Sequence, residues 1–157
     1  MKKQGFFNKL KEEKKLEIVE PSQEIADSYI EKSIHSIKAA QALLKIDLVD
    51  ESVSMSYYSM YHCLMALMRK CGIKCENHAG NILLLKKLFG NEALFNSISS
   101  AKTERIDKQY YVDFKASKKD AEDMVIQAQD FTREIKCLIE RLNSKEINEI
   151  RSKFDSL

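Results

Sequence analysis

Apolar residues in the last third of the chain recur at alternating intervals of four and three positions. Such spacing places the side chains on one face of an α-helix. Ser117 and Asp120, just before the series, have the spacing of a capping box, in which two side chains satisfy free backbone N–H groups at a helix start. The pattern predicts a long amphipathic helix whose apolar face consists of Met124, Ala128, Phe131, Ile135, Leu138 and Leu142.

Two more long helices are expected in the first half of the chain. The first covers about residues 22–47, and Ser22 begins it because a serine hydroxyl can accept a hydrogen bond from a free backbone N–H. Asp50 is the expected cap of the second helix. Residues 53–68 leave little polar surface, so this second helix is expected to be the central one.

The rest of the chain divides into shorter helical segments. Gly72 is expected to end the central helix, because glycine adopts positive φ without strain. Helices are predicted at about residues 78–89 and 92–111, and a short one after Ser144. The chain has only four Gly and one Pro, so few positions interrupt helices. We therefore predict an all-α fold, an antiparallel up-and-down bundle of four to five helices.

A length of 157 residues is typical of one domain with modest tails. Residues 1–20 indicate an arm or a short helix, residues 21–143 the bundle, and residues 144–157 a short C-terminal helix. The N-terminus shows no secretory signal, and the longest apolar stretch, residues 57–68, is shorter than a membrane span. These features predict a cytoplasmic protein with reduced thiols and no membrane contact.

Basic residues are concentrated between residues 102 and 119, although the net charge of the whole chain is only +2. One interpretation is a surface that contacts phosphate groups, with Tyr110 or Tyr111 available to stack on a base. The other is a solvated helix end with the tyrosines in the core. The cluster consists of Lys102, Arg105, Lys108, Lys115, Lys118 and Lys119, against Glu104, Asp107 and Asp113.

Cys71, Cys75 and His78 are residue types that bind metals, but their spacing argues against a metal site. The arrangement Cys-x3-Cys-x2-His lacks the fourth ligand and the paired spacing of structural zinc sites. The sequence also contains no Glu-x-x-His pair, which a di-iron bundle needs, and no glycine-rich phosphate loop. No metal or other cofactor is therefore expected, and His78 is expected to cap the short helix.

Several short motifs follow one another between residues 20 and 143. They are Ser56-Tyr57-Tyr58-Ser59-Met60-Tyr61-His62, Gly72-Ile73-Lys74, His78-Ala79-Gly80 and Arg105-Ile106-Asp107-Lys108-Gln109-Tyr110-Tyr111, with Pro21-Ser22 upstream. Taken together and in this order, the motifs resemble those of small prokaryotic HEPN proteins, especially archaeal stand-alone ones.

The resemblance implies a helical bundle that pairs through its long helices as a homodimer. It also implies a frequent partner, a minimal nucleotidyltransferase, and a role in toxin–antitoxin or RNA-cleaving defence systems. Active members of the family cleave RNA without a metal. They use an arginine and a histidine roughly four to six residues later, and two copies of this motif meet across the dimer. Tyr58, His62 and His78 are expected to line the dimer groove or to serve a structural role, and His62 has the apolar neighbours of a core residue.

Arg105 matches the arginine of this signature, but no histidine follows it in the chain. The fifth residue after Arg105 is Tyr110, and a phenol with an ordinary pKa near about 10 is a poor proton shuttle at neutral pH. A guanidinium can still hold a phosphate by paired hydrogen bonds. The candidate catalytic residues are Arg105, Asp107 and Tyr110, and the candidate RNA- or nucleotide-binding residues are Lys102, Arg105, Lys108, Tyr111 and Lys115.

Three functions are compatible with these observations. The first is a dimeric regulatory module that engages RNA or a nucleotide and works with a nucleotidyltransferase, which could modify Tyr110 or Tyr111. The second is an active endoribonuclease whose acid–base step is supplied by another group or by electrostatics alone. The third is a purely structural subunit that holds another protein.

Overall fold

The computed structural model describes residues 2–110 and 115–157, and within helices it leaves out the side chains of residues 2–4 and 107–110. The elements in chain order are α1 (Lys2–Glu12), β1 (Leu16–Ile18), α2 (Gln23–Lys45), α3 (Val49–Lys70), β2 (Ile73–Cys75), α4 (His78–Phe89), α5 (Glu92–Tyr110), α6 (Lys118–Arg141), α7 (Ser144–Ser152) and a final 3-10 turn (Lys153–Ser156). The predicted all-α class is confirmed.

Helix α3 is the centre of the molecule, as its apolar sequence predicted. Helices α2, α4, α5 and α6 all pack against it. Its side chains are buried along most of its length, except for a half-exposed stripe that contains Met55, Tyr58, His62 and Met65. These four positions are spaced by three and four residues, so they form one line along the helix.

Serine side chains join α2 to α3 at close range. The Ser33 hydroxyl donates to the Ser59 carbonyl at 2.7 Å, and the Ser59 hydroxyl donates to the Ser33 carbonyl at 2.9 Å. The Ser52 hydroxyl donates to the Ala40 carbonyl at 2.7 Å. Residue numbers rise along α2 as they fall along α3, so the two helices are antiparallel. Small residues let the backbones approach, and the bonds satisfy hydroxyls that would otherwise be buried without partners.

The other long helices complete an up-and-down bundle. The Gln127 amide donates to the Ser97 carbonyl at 2.9 Å, and Glu104 and Asp120 line one pocket at the other end of the same helix pair, so α5 and α6 are antiparallel. Ser117 and Asp120 form the predicted capping box at the start of α6. No helix in the described part of the chain is both long enough and apolar enough to cross a membrane.

Asp50 does not cap α3, contrary to our prediction. The helix begins one residue earlier, at Val49, and Leu48 precedes it. The Asp50 carboxylate instead accepts the Ala116 backbone N–H at 3.0 Å. A bond between residues so far apart in the chain leaves no local sequence signal. It fixes the segment before α6 against the start of α3.

Two short strands, which the sequence pattern did not predict, form a small sheet. β1 pairs with β2 in antiparallel register, with Leu16 opposite Cys75 and Ile18 opposite Ile73. Each strand has only three residues, which is too short for a visible alternation of apolar and polar positions. The pairing fastens the N-terminal segment to the bundle, where Phe7 and Leu16 are buried.

Arg151 of α7 closes this side of the molecule. One nitrogen of its guanidinium, Nη1, donates to the carbonyls of Val19, Cys71 and Gly72 at 2.7–3.1 Å. Lys11 of α1 also reaches the C-terminal turn, where its ammonium donates to the Phe154 carbonyl at 3.0 Å. The helices at the two ends of the chain are thus joined to the bundle and to each other.

Gly72 provides a test of this closure. It has φ +70°, and an added Cβ would meet the Arg151 guanidinium and the Val19 carbonyl, whereas Gly90, with φ +62°, has open space around it. We expect Gly90→Ala to lower the free energy of unfolding by about 1 kcal/mol through backbone strain. Gly72→Ala should lower it by roughly a further 1–3 kcal/mol through overpacking. Urea denaturation measures both, and equal losses would contradict the closure.

Candidate functional site

Two rows of aromatic rings project from the middle of α3. Residues four apart lie one above the other on a helix, so Tyr61 follows Tyr57 and His62 follows Tyr58. The ring centroids are 6.1 Å apart in the first row and 6.3 Å apart in the second. Tyr57 is fully buried, whereas Tyr58 and His62 belong to the half-exposed stripe of α3. The rows therefore connect the core to the surface.

Arg105 of α5 is held against this aromatic surface. Its Nη1 donates to the Tyr58 hydroxyl at 3.0 Å. The guanidinium carbon lies 5.1 Å from the ring centroid of Tyr57 and 5.4 Å from that of Tyr58, within the range of cation–π attraction. Arg105 is half-buried. Two aromatic rings and a hydrogen bond thus fix the position of a permanent positive charge near the surface.

His78, the first residue of α4, also contacts Tyr57. The Tyr57 hydroxyl and the His78 Nδ1 are 3.0 Å apart and share a hydrogen bond. The imidazole stacks on the Tyr61 ring with centroids 3.8 Å apart and an interplanar angle of 11°. Burial lowers the pKa of His78, and the positive charges of Arg105 and Lys102 lower it further. The imidazole is therefore neutral at pH 7.

Asn81 is the buried support of this arrangement. Its side-chain amide donates to the Tyr61 hydroxyl and to the Cys75 carbonyl, both at 2.8 Å. These bonds fix the Tyr61 ring on which His78 stacks. Burial raises the pKa of Tyr57 to about 12 and also raises the pKa of Tyr61, so both phenols keep their protons at neutral pH.

His62 is half-buried between two aromatic rings. Its ring centroid is 6.4 Å from that of Tyr29 and 6.3 Å from that of Tyr58. Its Nδ1 is buried and has no hydrogen-bond partner within the described residues. Burial is the main cause of its lowered pKa, with a smaller contribution from Lys32. His62 lies beside the residue that holds Arg105.

The structure does not describe every residue that the sequence singled out. Tyr111 lies outside the described residues, as do the side chains of Asp107, Lys108 and Tyr110. Lys102 is half-buried on α5 and close enough to His78 to influence its pKa, and Lys115 is exposed. The α5 backbone is helical through Tyr110, so this residue starts about 140° around the helix axis from Arg105.

Sequence reasoning missed three members of the cluster and misassigned one. Tyr57, Tyr61 and Asn81 carry its hydrogen bonds, and the four-residue spacing between Tyr57 and Tyr61 was the available signal. His78 does not cap α4, because the Asn77 side chain accepts the Gly80 N–H at 2.8 Å and performs that role. Packing of α4 against α3 brings His78 to Tyr57, and no local sequence pattern reports such packing.

The cysteines do not contribute a metal centre in the described part of the chain. No three His, Cys, Asp or Glu side chains there come together in a way that could hold a metal ion. Cys71 and Cys75 are buried, and burial raises the pKa of both thiols, that of Cys71 to about 12. Metals bind the thiolate form, which these two environments disfavour.

Comparison with known proteins identifies the family. The model of the HEPN domain matches residues 26–151, which include α3, Arg105 and His78. This chain belongs to the HEPN family. A curated protein of Methanocaldococcus jannaschii that bears the name "putative toxin" is 32% identical over 101 residues, which cover 61% of this chain and 69% of that protein. The resemblance noted in the sequence is thereby confirmed.

The half-buried His78 of this HEPN domain should make its stability depend on pH. The pKa of folded His78 lies below the ordinary value of 6.5, so the unfolded chain binds this proton more readily. The stabilisation is present above that value and is lost as the pH falls through the folded pKa. We expect the free energy of unfolding to fall less in His78→Gln than in the wild type between about pH 7.5 and about pH 5.

The matched control is His35→Gln, because the His35 side chain is exposed and its Nε2 lies 3.9 Å from the carboxylate of Glu31, one turn away on the same helix. Its pH dependence should equal that of the wild type. Denaturant unfolding at several pH values gives the three curves. If the His78→Gln and wild-type curves run parallel, the environment assigned to His78 is wrong.

Proposed function

We propose that this HEPN protein is a toxin-like module that engages RNA, with Arg105 as the residue that binds the phosphate backbone. The observation that carries the proposal is the fixed guanidinium, held by the Tyr58 hydroxyl and lying against the rings of Tyr57 and Tyr58. A guanidinium fixed before binding loses less conformational entropy when it forms hydrogen bonds to a phosphate. Its charge attracts a polyanion to this part of the surface.

The surroundings of Arg105 support an anionic ligand. Lys102 lies one turn earlier on α5, and both positive charges act on the same imidazole, that of His78. Lys115, just before α6, and Lys118, the first residue of α6, are exposed. The toxin-like part of the proposal rests on the family and on the name of the Methanocaldococcus jannaschii relative.

We further propose that two copies pair along the half-exposed stripe of α3. Met55, Tyr58, His62 and Met65 alternate at intervals of three and four residues, which is the spacing of a seam between two helices. Pairing there would place the two Arg105 surfaces at one interface, because Tyr58 lies in the stripe and binds Arg105. The proposal of a nucleotidyltransferase partner follows from the family resemblance noted in the sequence.

Arg105→Ala tests the RNA-binding surface. We expect its affinity for single-stranded RNA at low salt to fall roughly tenfold to a hundredfold, because a hydrogen-bonded charge is worth about 1.5–3 kcal/mol. The slope of log affinity against log salt should shrink by about 0.7 for each phosphate group that the variant no longer neutralises. The control Arg133→Ala removes an equal charge from a side chain that is 70% exposed and paired with Asp130. Fluorescence anisotropy measures both variants.

The outcomes separate the competing functions. Unchanged affinity in Arg105→Ala, or equal losses in both variants, would show that RNA is not bound at this surface. Displacement of RNA by low concentrations of a mononucleotide would identify a nucleotide site instead. Absence of any RNA or nucleotide affinity in the wild type would leave the structural subunit as the function.

Met65→Glu tests the pairing. In solution the wild type should have twice the chain mass of 18.2 kDa, and a carboxylate in the seam should shift it towards the single-chain mass because a buried charge is costly. Ile126→Glu is the control, since Ile126 is 55% exposed on α6, away from the stripe. Light scattering coupled to size-exclusion chromatography measures the mass. A single-chain mass for the wild type at micromolar concentration would contradict the pairing.

A further inference from the structure

The His78 side chain is held by a hydrogen bond and by an aromatic ring in addition to ordinary packing. Tyr57 binds its Nδ1, Tyr61 stacks on its face, and Asn81 holds Tyr61 in place. The plane of the imidazole and one of its two nitrogens are thereby fixed. No described residue forms a hydrogen bond with the other nitrogen, Nε2. The side chain is half-buried, so part of it remains exposed to solvent.

Tyr57 connects His78 to the proposed phosphate-binding residue. Its hydroxyl binds the imidazole, and the guanidinium of Arg105 lies 5.1 Å from the centroid of its ring. Both side chains thus contact one tyrosine, and the positive charge of Arg105 acts on the imidazole. A phosphodiester bound by Arg105 has to extend along Tyr57 to reach the imidazole. The charged and titratable groups that act on His78 come from two helices. Helix α5 contributes Arg105 and Lys102, and helix α3 contributes Tyr57, Tyr61 and His62.

The charges around His78 favour one protonation state. Burial and the neighbouring positive charges lower its pKa, so the imidazole is unprotonated at neutral pH and can accept a proton. In the tautomer that can act as a base, Nδ1 carries the ring proton and donates it to the Tyr57 hydroxyl oxygen, which leaves Nε2 as the acceptor. A protonated phenol accepts this bond through its oxygen, and Tyr57 keeps its own proton.

We propose that His78 is a catalytic base that removes the proton of a ribose 2′-hydroxyl in RNA held by Arg105. The inference rests on the RNA-engaging function proposed above and adds a reaction to it. His78 supplies the proton-transfer group that the chain lacks after Arg105, and it does so from α4, a different helix. A phenol of ordinary pKa, the group that Tyr110 offers, is still protonated at neutral pH. It is therefore a poorer proton acceptor than an unprotonated imidazole.

The reaction moves one proton and exchanges one phosphorus–oxygen bond. As Nε2 accepts the proton, the 2′-oxygen forms a bond to phosphorus and the bond from phosphorus to the 5′-oxygen breaks. The departing 5′-oxygen takes a proton from water, and the imidazolium later returns its proton to the solvent. Arg105 stabilises the negative charge that develops on the phosphate oxygens. The products are a 2′,3′-cyclic phosphate and a free 5′-hydroxyl.

The experiment incubates the purified protein with end-labelled single-stranded and structured RNA and analyses the product ends. We expect cleavage by the wild type with 2′,3′-cyclic phosphate ends. His78→Gln should cleave at least about a hundredfold more slowly, the usual minimum effect of losing a general base. Its RNA affinity should stay within about twofold of the wild type, since the phosphate contact remains. His35→Gln, which changes an exposed histidine, should cleave normally.

The pH dependence separates a base from a structural residue. The cleavage rate of the wild type should rise with pH and level off above the pKa of His78, which NMR titration of the imidazole measures independently. Agreement of the two values supports the assignment even if His78→Gln folds poorly. A rate profile whose inflection does not coincide with that pKa would overturn it.

The remaining outcomes distinguish the two proposals. RNA binding through Arg105 without any cleavage would overturn the role of His78 and leave the RNA-engaging function intact. Cleavage by folded His78→Gln at the wild-type rate would also overturn the role of His78 and leave the RNA-engaging function intact. If the wild type binds no RNA, both proposals are wrong.

Discussion

Helix α3 is enclosed by the other helices along all but one narrow stripe, and this burial determines the arrangement of the bundle. A helix with so few polar side chains has to pack against other helices on most of its surface. Small residues on α2 and α3 allow these two helices to approach closely. The paired hydroxyl–carbonyl bonds of Ser33 and Ser59 satisfy groups that would otherwise be buried at a cost. The direction of α2 is thereby fixed relative to α3, and α5 and α6 fill the remaining sides.

The candidate site follows from this packing. One row of α3 side chains enters the core with Tyr57 and Tyr61, and the next row reaches the surface with Tyr58 and His62. A cation from α5 and an imidazole from α4 both contact Tyr57. The polar groups that these described side chains bring together are phenols, an amide, imidazoles and a guanidinium. Of these groups the guanidinium carries a permanent positive charge, which favours an anionic ligand.

The sequence predicted those features that depend on neighbouring residues. The helix bounds, the Ser117 capping box and the positive-φ glycine after α3 all follow from local spacing and residue type. Arg105 was proposed as a site residue because it lies in a family motif, and it stays a prediction. Contacts between residues far apart in the chain were missed. The role of Asp50 depends on a residue 66 positions away, and the meeting of His78 with Tyr57 depends on how α4 packs on α3. Such contacts are set by tertiary packing, which a single sequence does not report.

The guanidinium of Arg151 has a consequence for how this protein opens. It joins carbonyls from the end of β1 and from the turn after α3, and Val19 is 132 positions away from it in the chain. Detachment of α7 would remove the Arg151 donor from all three carbonyls at once. Fluctuations of the small sheet and of the C-terminal helix are therefore coupled, so the two regions should exchange their amide hydrogens as a single cooperative unit.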